Sequence, residues 1–206
     1  EFIVGDIHIG TAETDAVRLL ARAAQHLKED YPQIHYHISS DDAFDVTEQL
    51  DKGLIDFGVL VGQVDISKYD SITFPVKDSW GALMRRDEPL ADQDVIHAAD
   101  LYDKSLIISR QEANNTPLSK WLQKDITTLN IVATYNLINN AALMAAEGLG
   151  IVLTLDKLIN TTGDSSLRFV PFDPPLTMEL HIVWKKYQFF SKAAEKFLEQ
   201  LQLEFL

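Results

Sequence analysis

The 206-residue chain contains no cysteine, so it can form no disulfide, thiolate nucleophile or zinc–thiolate cluster. Basic residues are also few: 18 lysines and arginines against 31 acidic residues give a net charge of −13. A surface this negative repels phosphate backbones, so we do not expect this chain by itself to bind nucleic acid. No apolar run approaches the roughly 20 residues that span a bilayer, and the opening residues do not match a signal peptide.

The opening segment carries the pattern around which the chain is organised. Ile3, Ile7 and Ile9 alternate with more polar residues and predict a strand, and apolar residues at helical spacing follow over 16–27. A strand that runs into a helix through a short polar loop presents free backbone N–H groups at one point. Such a point suits a ligand with an acceptor or a negative charge, so we expect this loop to form half of a small-molecule site.

Strands and helices continue to alternate after this segment. Residues 34–38 alternate as a strand, Asp42 can cap a helix that Gly53 ends, and 57–61 is an apolar run typical of a buried strand. The order β-α-β-α-β implies a parallel sheet with right-handed crossovers. Residues 106–153 repeat this pattern, which predicts a second α/β unit.

The second unit supplies its own helix starts, and the order of elements predicts two lobes. Asn136 is expected to cap a helix over 137–147, and residues 72–76 are expected to form a strand. No long linker separates the units, so the chain should cross between two lobes more than once. A ligand would then bind between the lobes, at the carboxyl ends of strands.

Five short segments follow one another in a specific order and spacing across nearly all of the chain. They are Gly5–Gly10, Asp30–Pro32, Gln49–Val59, Glu88–Ala91 and Ala145–Leu153. Together they resemble the effector-binding domain of LysR-type transcriptional regulators. Glu88 stands where that family often has histidine, and Val152 stands where alanine is more usual.

The resemblance implies an α/β protein with two Rossmann-like lobes, as in type II periplasmic-binding-protein-like folds. Lobe I is expected over 1–77 plus 182–206 and lobe II over 78–181. The domain would sense a small metabolite and would normally follow a winged helix-turn-helix, so DNA would be bound only through that missing N-terminal part. The resemblance further implies a cytoplasmic homodimer or tetramer that is not an enzyme, and we expect no cofactor, metal or membrane partner.

The resemblance assigns the effector contacts to four places in the chain. They are the loop Thr11, Ala12, Glu13 and Thr14, the strand end Val61 and Gly62, the segment Ser109, Arg110 and Gln111, and Asn136. Some members of the family have hydroxyl residues where this chain has Ala12 and Val61, which argues against an inorganic oxyanion. We therefore expect a carboxylate or a zwitterion.

Each of these residues has a simpler alternative explanation. Thr14 and Asn136 could serve as helix caps and make no contact with the ligand. Glu13 could be a solvated carboxylate at a helix start or could bind a ligand's amine. Arg110 could form a surface ion pair or a bidentate pair with a ligand carboxylate.

Two other readings follow from the sequence. His35 and His37 share one strand face and could chelate a metal, but the sequence places no third ligand, so a plain surface face is favoured. A solute-binding protein of a transport system would have the same fold and remains the alternative function. An enzyme is disfavoured because no nucleophile motif such as Gly-x-Ser-x-Gly occurs.

Overall fold

Two separate β-sheets organise the chain in the computed structural model, which describes residues 2–62 and 64–206. Within these residues there are eleven strands and five α-helices. The strands are β1 (Val4–Thr11), β2 (Gln33–Ser40), β3 (Phe57–Val61), β4 (Tyr69–Thr73), β5 (Asp78–Arg85), β6 (Leu106–Ser109), β7 (Ile131–Tyr135), β8 (Ile151–Leu155), β9 (Leu167–Pro171), β10 (Thr177–Met178) and β11 (Leu180–Lys185). The helices are α1 (Val17–Asp30), α2 (Ala43–Asp51), α3 (Pro117–Leu122), α4 (Ile138–Ala146) and α5 (Lys192–Phe205).

The first unit, Glu1–Lys77 and Met178–Leu206, contains a sheet with the strand order β2-β1-β3-β11-β4. β1 pairs in parallel with both β2 and β3, so the parallel pairing predicted from the β-α-β-α-β order is confirmed. β11 comes late in the sequence, lies between β3 and β4, and pairs antiparallel with both. The sheet is therefore mixed, and only its first three strands follow the parallel rule.

Alternating side chains of β3 send apolar groups to both faces of this sheet. Phe57 packs with Phe197 of α5 in one hydrophobic cluster, whereas Leu60 packs with Val46 of α2 in another. Ser191 caps α5 because its Oγ accepts a hydrogen bond from the N–H of Ala194 at 3.1 Å. The strand is thus buried on both faces, as its continuous apolar sequence predicted.

The second unit, Asp78–Thr177, contains a sheet with the order β10-β5-β8-β6-β7, and β9 pairs with β5. β6 lies parallel to β7 and β8, so the predicted second βαβ arrangement is confirmed. Ile107 of β6 packs in the cluster that contains α4, whereas Leu106 and Ile108 pack in the cluster that contains α3. This sheet is also covered on two faces.

Two expected boundaries differ from the structure. The strand expected over 72–76 spans Tyr69–Thr73, because its ladder with β11 ends where Pro75 has no N–H to donate. The chain returns to the first unit at Met178 rather than at residue 182, because β11 begins at Leu180 and pairs with β3 and β4. No helix in the described ranges is long and apolar enough to cross a bilayer.

Gly81 in β5 tests how closely the second sheet is packed. A Cβ atom at this position would lie 2.6 Å from the carbonyl oxygen of Val170 and would also meet the ring of Phe169. Because overpacking a core strains the backbone, we expect Gly81→Ala to lower the free energy of unfolding by about 1–3 kcal/mol. Urea denaturation measures this change. Ser79→Ala, on the same strand but partly exposed, is the control, and equal losses in both variants would contradict the packing argument.

Candidate functional site

The first half of the predicted site lies at one edge of the first sheet. Thr11 ends β1 opposite Val59 of β3, and the Ala12 N–H donates to the Val59 carbonyl at 3.3 Å. Because β1 and β3 are parallel, their carboxyl ends lie at the same edge. The structure therefore brings the loop after β1 close to Val61 and Gly62.

Thr11 is buried, and its hydroxyl serves the loop itself. Only 1% of the residue is exposed, and its Oγ1 donates to the Ala12 carbonyl at 2.7 Å. The Thr11 carbonyl accepts from the N–H of Asp41 at 3.0 Å, and Ser40 of β2 lies opposite Thr11. Ser40 and Asp41 thus belong to this edge. They could not be identified from the sequence because the register of β2 against β1 is not encoded in either strand's local pattern.

Thr14 stabilises the turn that leads into α1. Its Oγ1 accepts from the N–H of Ala16 at 3.1 Å, and the residue is buried. The helix begins one residue later, at Val17, and its N-cap Ala16 provides no side-chain bond. Thr14 therefore organises the approach to the helix rather than its first turn, while Glu13 beside it is partly exposed.

Gly62 is required by the backbone. Its φ angle is +82°, a region that side-chain-bearing residues rarely adopt, and its N–H donates to the Glu179 carbonyl at 2.8 Å. A Cβ atom there would come within 3.1 Å of the sulfur of Met178. The end of β3 is thus fixed against the segment that leads into β11.

The second half of the predicted site lies at an edge of the second sheet. Ser109 ends β6 opposite Tyr135 of β7, and the Arg110 N–H donates to the Tyr135 carbonyl at 2.8 Å. Asn136 directly follows Tyr135, so it lies beside Ser109, Arg110 and Gln111. Within this loop, the Ser109 hydroxyl accepts from the N–H of Gln111 at 3.3 Å.

Asn136 does not cap α4, so this prediction is wrong. The helix begins at Ile138 with Leu137 as N-cap, and the N-cap side chain makes no capping hydrogen bond. Packing decides the start, because Ile138 is 4% exposed and sits in the core, whereas Asn136 points to the exposed side.

Glu112 follows the predicted contact segment 109–111 and was not singled out from the sequence. Its carboxylate accepts from the Thr116 hydroxyl at 2.8 Å, and burial raises the pKa of Glu112 despite that bond. Thr116 in turn caps α3 by accepting from the N–H of Ser119 at 3.2 Å. The spacing of Glu112 and Thr116 before Pro117 is a weak signal that could have pointed to this pair.

Comparison with known proteins identifies the family. The model of the LysR substrate binding domain matches residues 3–205, which is nearly the whole chain. The chain belongs to the LysR substrate-binding domain family. The resemblance inferred from the five sequence segments is thereby confirmed.

Individual relatives agree with this assignment. An uncharacterized HTH-type transcriptional regulator, YwbI of Bacillus subtilis (strain 168), is 24% identical over 200 residues, which cover 95% of this chain and 65% of the relative. HinK, a LysR family transcriptional regulator from Pseudomonas aeruginosa, aligns with a TM-score of 0.75 at 20% identity, over 100% of this chain and 72% of that one. The reduced form of the OxyR regulatory domain from the same organism aligns with a TM-score of 0.75 at 17% identity, over 97% of this chain and 98% of that one.

These likenesses confirm the predicted fold class. This LysR substrate-binding domain is mixed α/β with two sheets, and its structural neighbours are LysR regulatory domains with the type II periplasmic-binding-protein-like fold. The family is one of transcriptional regulators and not an enzyme family. The chain spans about two-thirds of the length of its curated relative.

The Thr14 hydroxyl gives a stability prediction that is independent of any ligand. Thr14→Val keeps the shape of the side chain but removes the acceptor for the Ala16 N–H, so we expect a loss of about 1 kcal/mol in the free energy of unfolding. Chemical denaturation without ligand measures it. Thr134→Val, exposed on β7, should change stability little; an unchanged Thr14→Val would show that the bond does not stabilise the turn.

Glu112 gives a prediction about pH. Because its pKa is raised, the neutral carboxyl stabilises the fold below the ordinary value of 4.5, and this contribution is lost as pH rises through the folded-state pKa. Glu112→Gln keeps the neutral form and an acceptor for Thr116, so we expect it to be more stable than the parent at about pH 7 and equal to it at about pH 4. Denaturation at both pH values checks this, with Glu29→Gln on α1 as control. A pH-independent difference would contradict it.

Proposed function

We propose that this chain is the sensor of a LysR-type transcriptional regulator and that its small effector contacts polar residues at these sheet edges. The observation that carries the proposal is the grouping of the polar residues within each unit: 11–14 with 61–62, and 109–111 with 136. Each group lies where parallel strands end, which is where ligands bind in open α/β sheets. The family match over residues 3–205 supports the same role.

The chemistry of the two groups favours a carboxylate or a zwitterion. The second unit contributes the guanidinium of Arg110 and the amides of Gln111 and Asn136, which can donate to a carboxylate. The first unit contributes Glu13, which suits an amine on the same ligand.

An effector of this kind acts by shifting an equilibrium between conformations of the regulator. It can shift that equilibrium only by its difference in affinity for the two states. We propose that the regulator is a cytoplasmic homodimer or tetramer and that DNA is held by another part of the protein. The charge of −13 supports this separation, because a surface this acidic repels DNA.

The two alternative roles, a transport protein and an enzyme, have less support than the sensor role. The family match is to transcriptional regulators and does not favour a transport protein. We also propose that the domain does not turn its ligand over. Chemical conversion of a ligand that binds the domain would argue for an enzyme.

A thermal-shift screen of carboxylates and amino acids tests the effector proposal, because a ligand that binds the folded state raises its apparent stability. For a compound that raises the melting temperature, we expect Arg110→Ala and Asn136→Ala each to weaken binding about tenfold, as expected for lost bonds to a charged ligand. Isothermal titration calorimetry measures the affinities. Arg22→Ala, which removes an exposed arginine on α1, is the matched control.

Two outcomes of this titration are decisive. If Thr14→Ala, Arg110→Ala and Asn136→Ala combined leave the affinity intact while the fold is retained, the assignment of the site is wrong. Glu13→Gln separates the two ligand classes. It should weaken an amino acid but not a plain carboxylate.

A further inference from the structure

The pairing of β1 with β2 places one carboxylate and three imidazoles side by side in a small grid. Asp6 lies opposite His35, and His8 lies opposite His37. Because alternate residues of a strand point to the same face, all four side chains share one face of the sheet. Three of the six histidines in the chain are therefore gathered at this place.

This face is open, unlike the other face of the same strands. The side chains of Asp6, His35 and His37 are 57%, 72% and 53% exposed. Ile7 and Ile34, on the opposite face, are buried in the main cluster of the first unit. A depression of about 470 Å³ borders Asp6 and His35. An ion could reach the grid directly from solvent.

The four side chains already interact with one another. His37 Nε2 lies 2.9 Å from Asp6 Oδ1, and His35 Nδ1 lies 3.9 Å from the same oxygen. The rings of His8 and His37 stack with centroids 4.7 Å apart. The hydrogen bond from His37 lowers the pKa of Asp6, so this carboxylate is ionised and faces the three imidazoles.

We propose that Asp6, His8, His35 and His37 form a binding site for a divalent late first-row metal ion such as Zn²⁺ or Ni²⁺. Imidazole nitrogen suits these ions, and a carboxylate oxygen is a common fourth ligand. Hard ions such as Mg²⁺ prefer a set made of oxygen atoms and do not suit this one. His35 and His37 alone had too few partners in the sequence; the register of the strands supplies Asp6 and His8.

Binding requires rotation of side chains but not of the backbone. In their present rotamers, no group of three or more His, Asp or Glu side chains in the described ranges is arranged to hold a metal ion. The backbone of His8 is held by two hydrogen bonds to Asp56: the His8 N–H donates to Asp56 Oδ2 at 2.9 Å, and the His8 carbonyl accepts from the Asp56 N–H at 2.9 Å. The exposed His37–Asp6 contact is weak enough to be exchanged for metal bonds.

Calorimetric titration of tag-free protein with ZnCl₂ and NiCl₂ near neutral pH tests this site. We expect one ion per chain and no saturable binding of MgCl₂. His8→Asn and His37→Asn should each weaken Zn²⁺ binding about tenfold or more, because each removes one metal–ligand bond. Binding should also be weaker at acidic pH than near neutral pH, because protons compete with the metal ion for its ligand atoms.

Control variants show where the metal binds. His26→Asn removes an exposed histidine of α1 in the same unit and should leave metal binding unchanged. The Nδ1 atom of His26 lies 2.7 Å from Glu204 Oε1. Because all these side chains are exposed, we expect every variant to fold. An unchanged unfolding midpoint checks this. Absence of saturable binding would overturn the proposal. So would binding that survives the His8→Asn, His37→Asn double variant, or a stoichiometry of one ion per two chains.

Discussion

The parallel pairing of β1 with β2 and β3 is the constraint on which the first unit depends. It puts Thr11 at the same edge as Val59 and Ser40, and it fixes which face of β1 is buried. A shift of one residue in this register would send Ile7 and Ile9 to solvent and bring Asp6 and His8 into the core, at a large cost in free energy. The hydrophobic core therefore determines the positions of the polar groups at the end of the strand and on its open face.

In the second unit, parallel strands also end together at one edge of the sheet, but with different residues. β6 and β7 end together at Ser109 and Tyr135, and the backbone bond from Arg110 to Tyr135 fixes the loop that follows. The two edges differ in chemistry. The first combines buried hydroxyls with the carboxylates of Glu13 and Asp41, and the second presents an exposed guanidinium and amides.

Features that depend on neighbouring residues could be predicted from the sequence. Asp42 caps α2 as its position indicated, because this capping bond joins residues only three apart. The start of α4 could not be predicted, since burial of Ile138 outweighed the capping tendency of Asn136. Strand registers were also out of reach: the opposition of His8 and His37 joins residues separated by a whole helix. The candidate edge residues were assigned from the family resemblance, whereas Ser40 could be found only from the register of β2 against β1.

The position of β11 has a consequence for how the protein is made. This strand lies between β3 and β4, although the ribosome adds it after all of the second unit. The nascent first sheet must therefore wait, with the flanks of β3 and β4 unpaired, until Leu180–Lys185 has emerged. The second unit is one continuous segment and has no such delay. Its sheet can assemble first during synthesis, and completion of the first sheet becomes a late, non-local step.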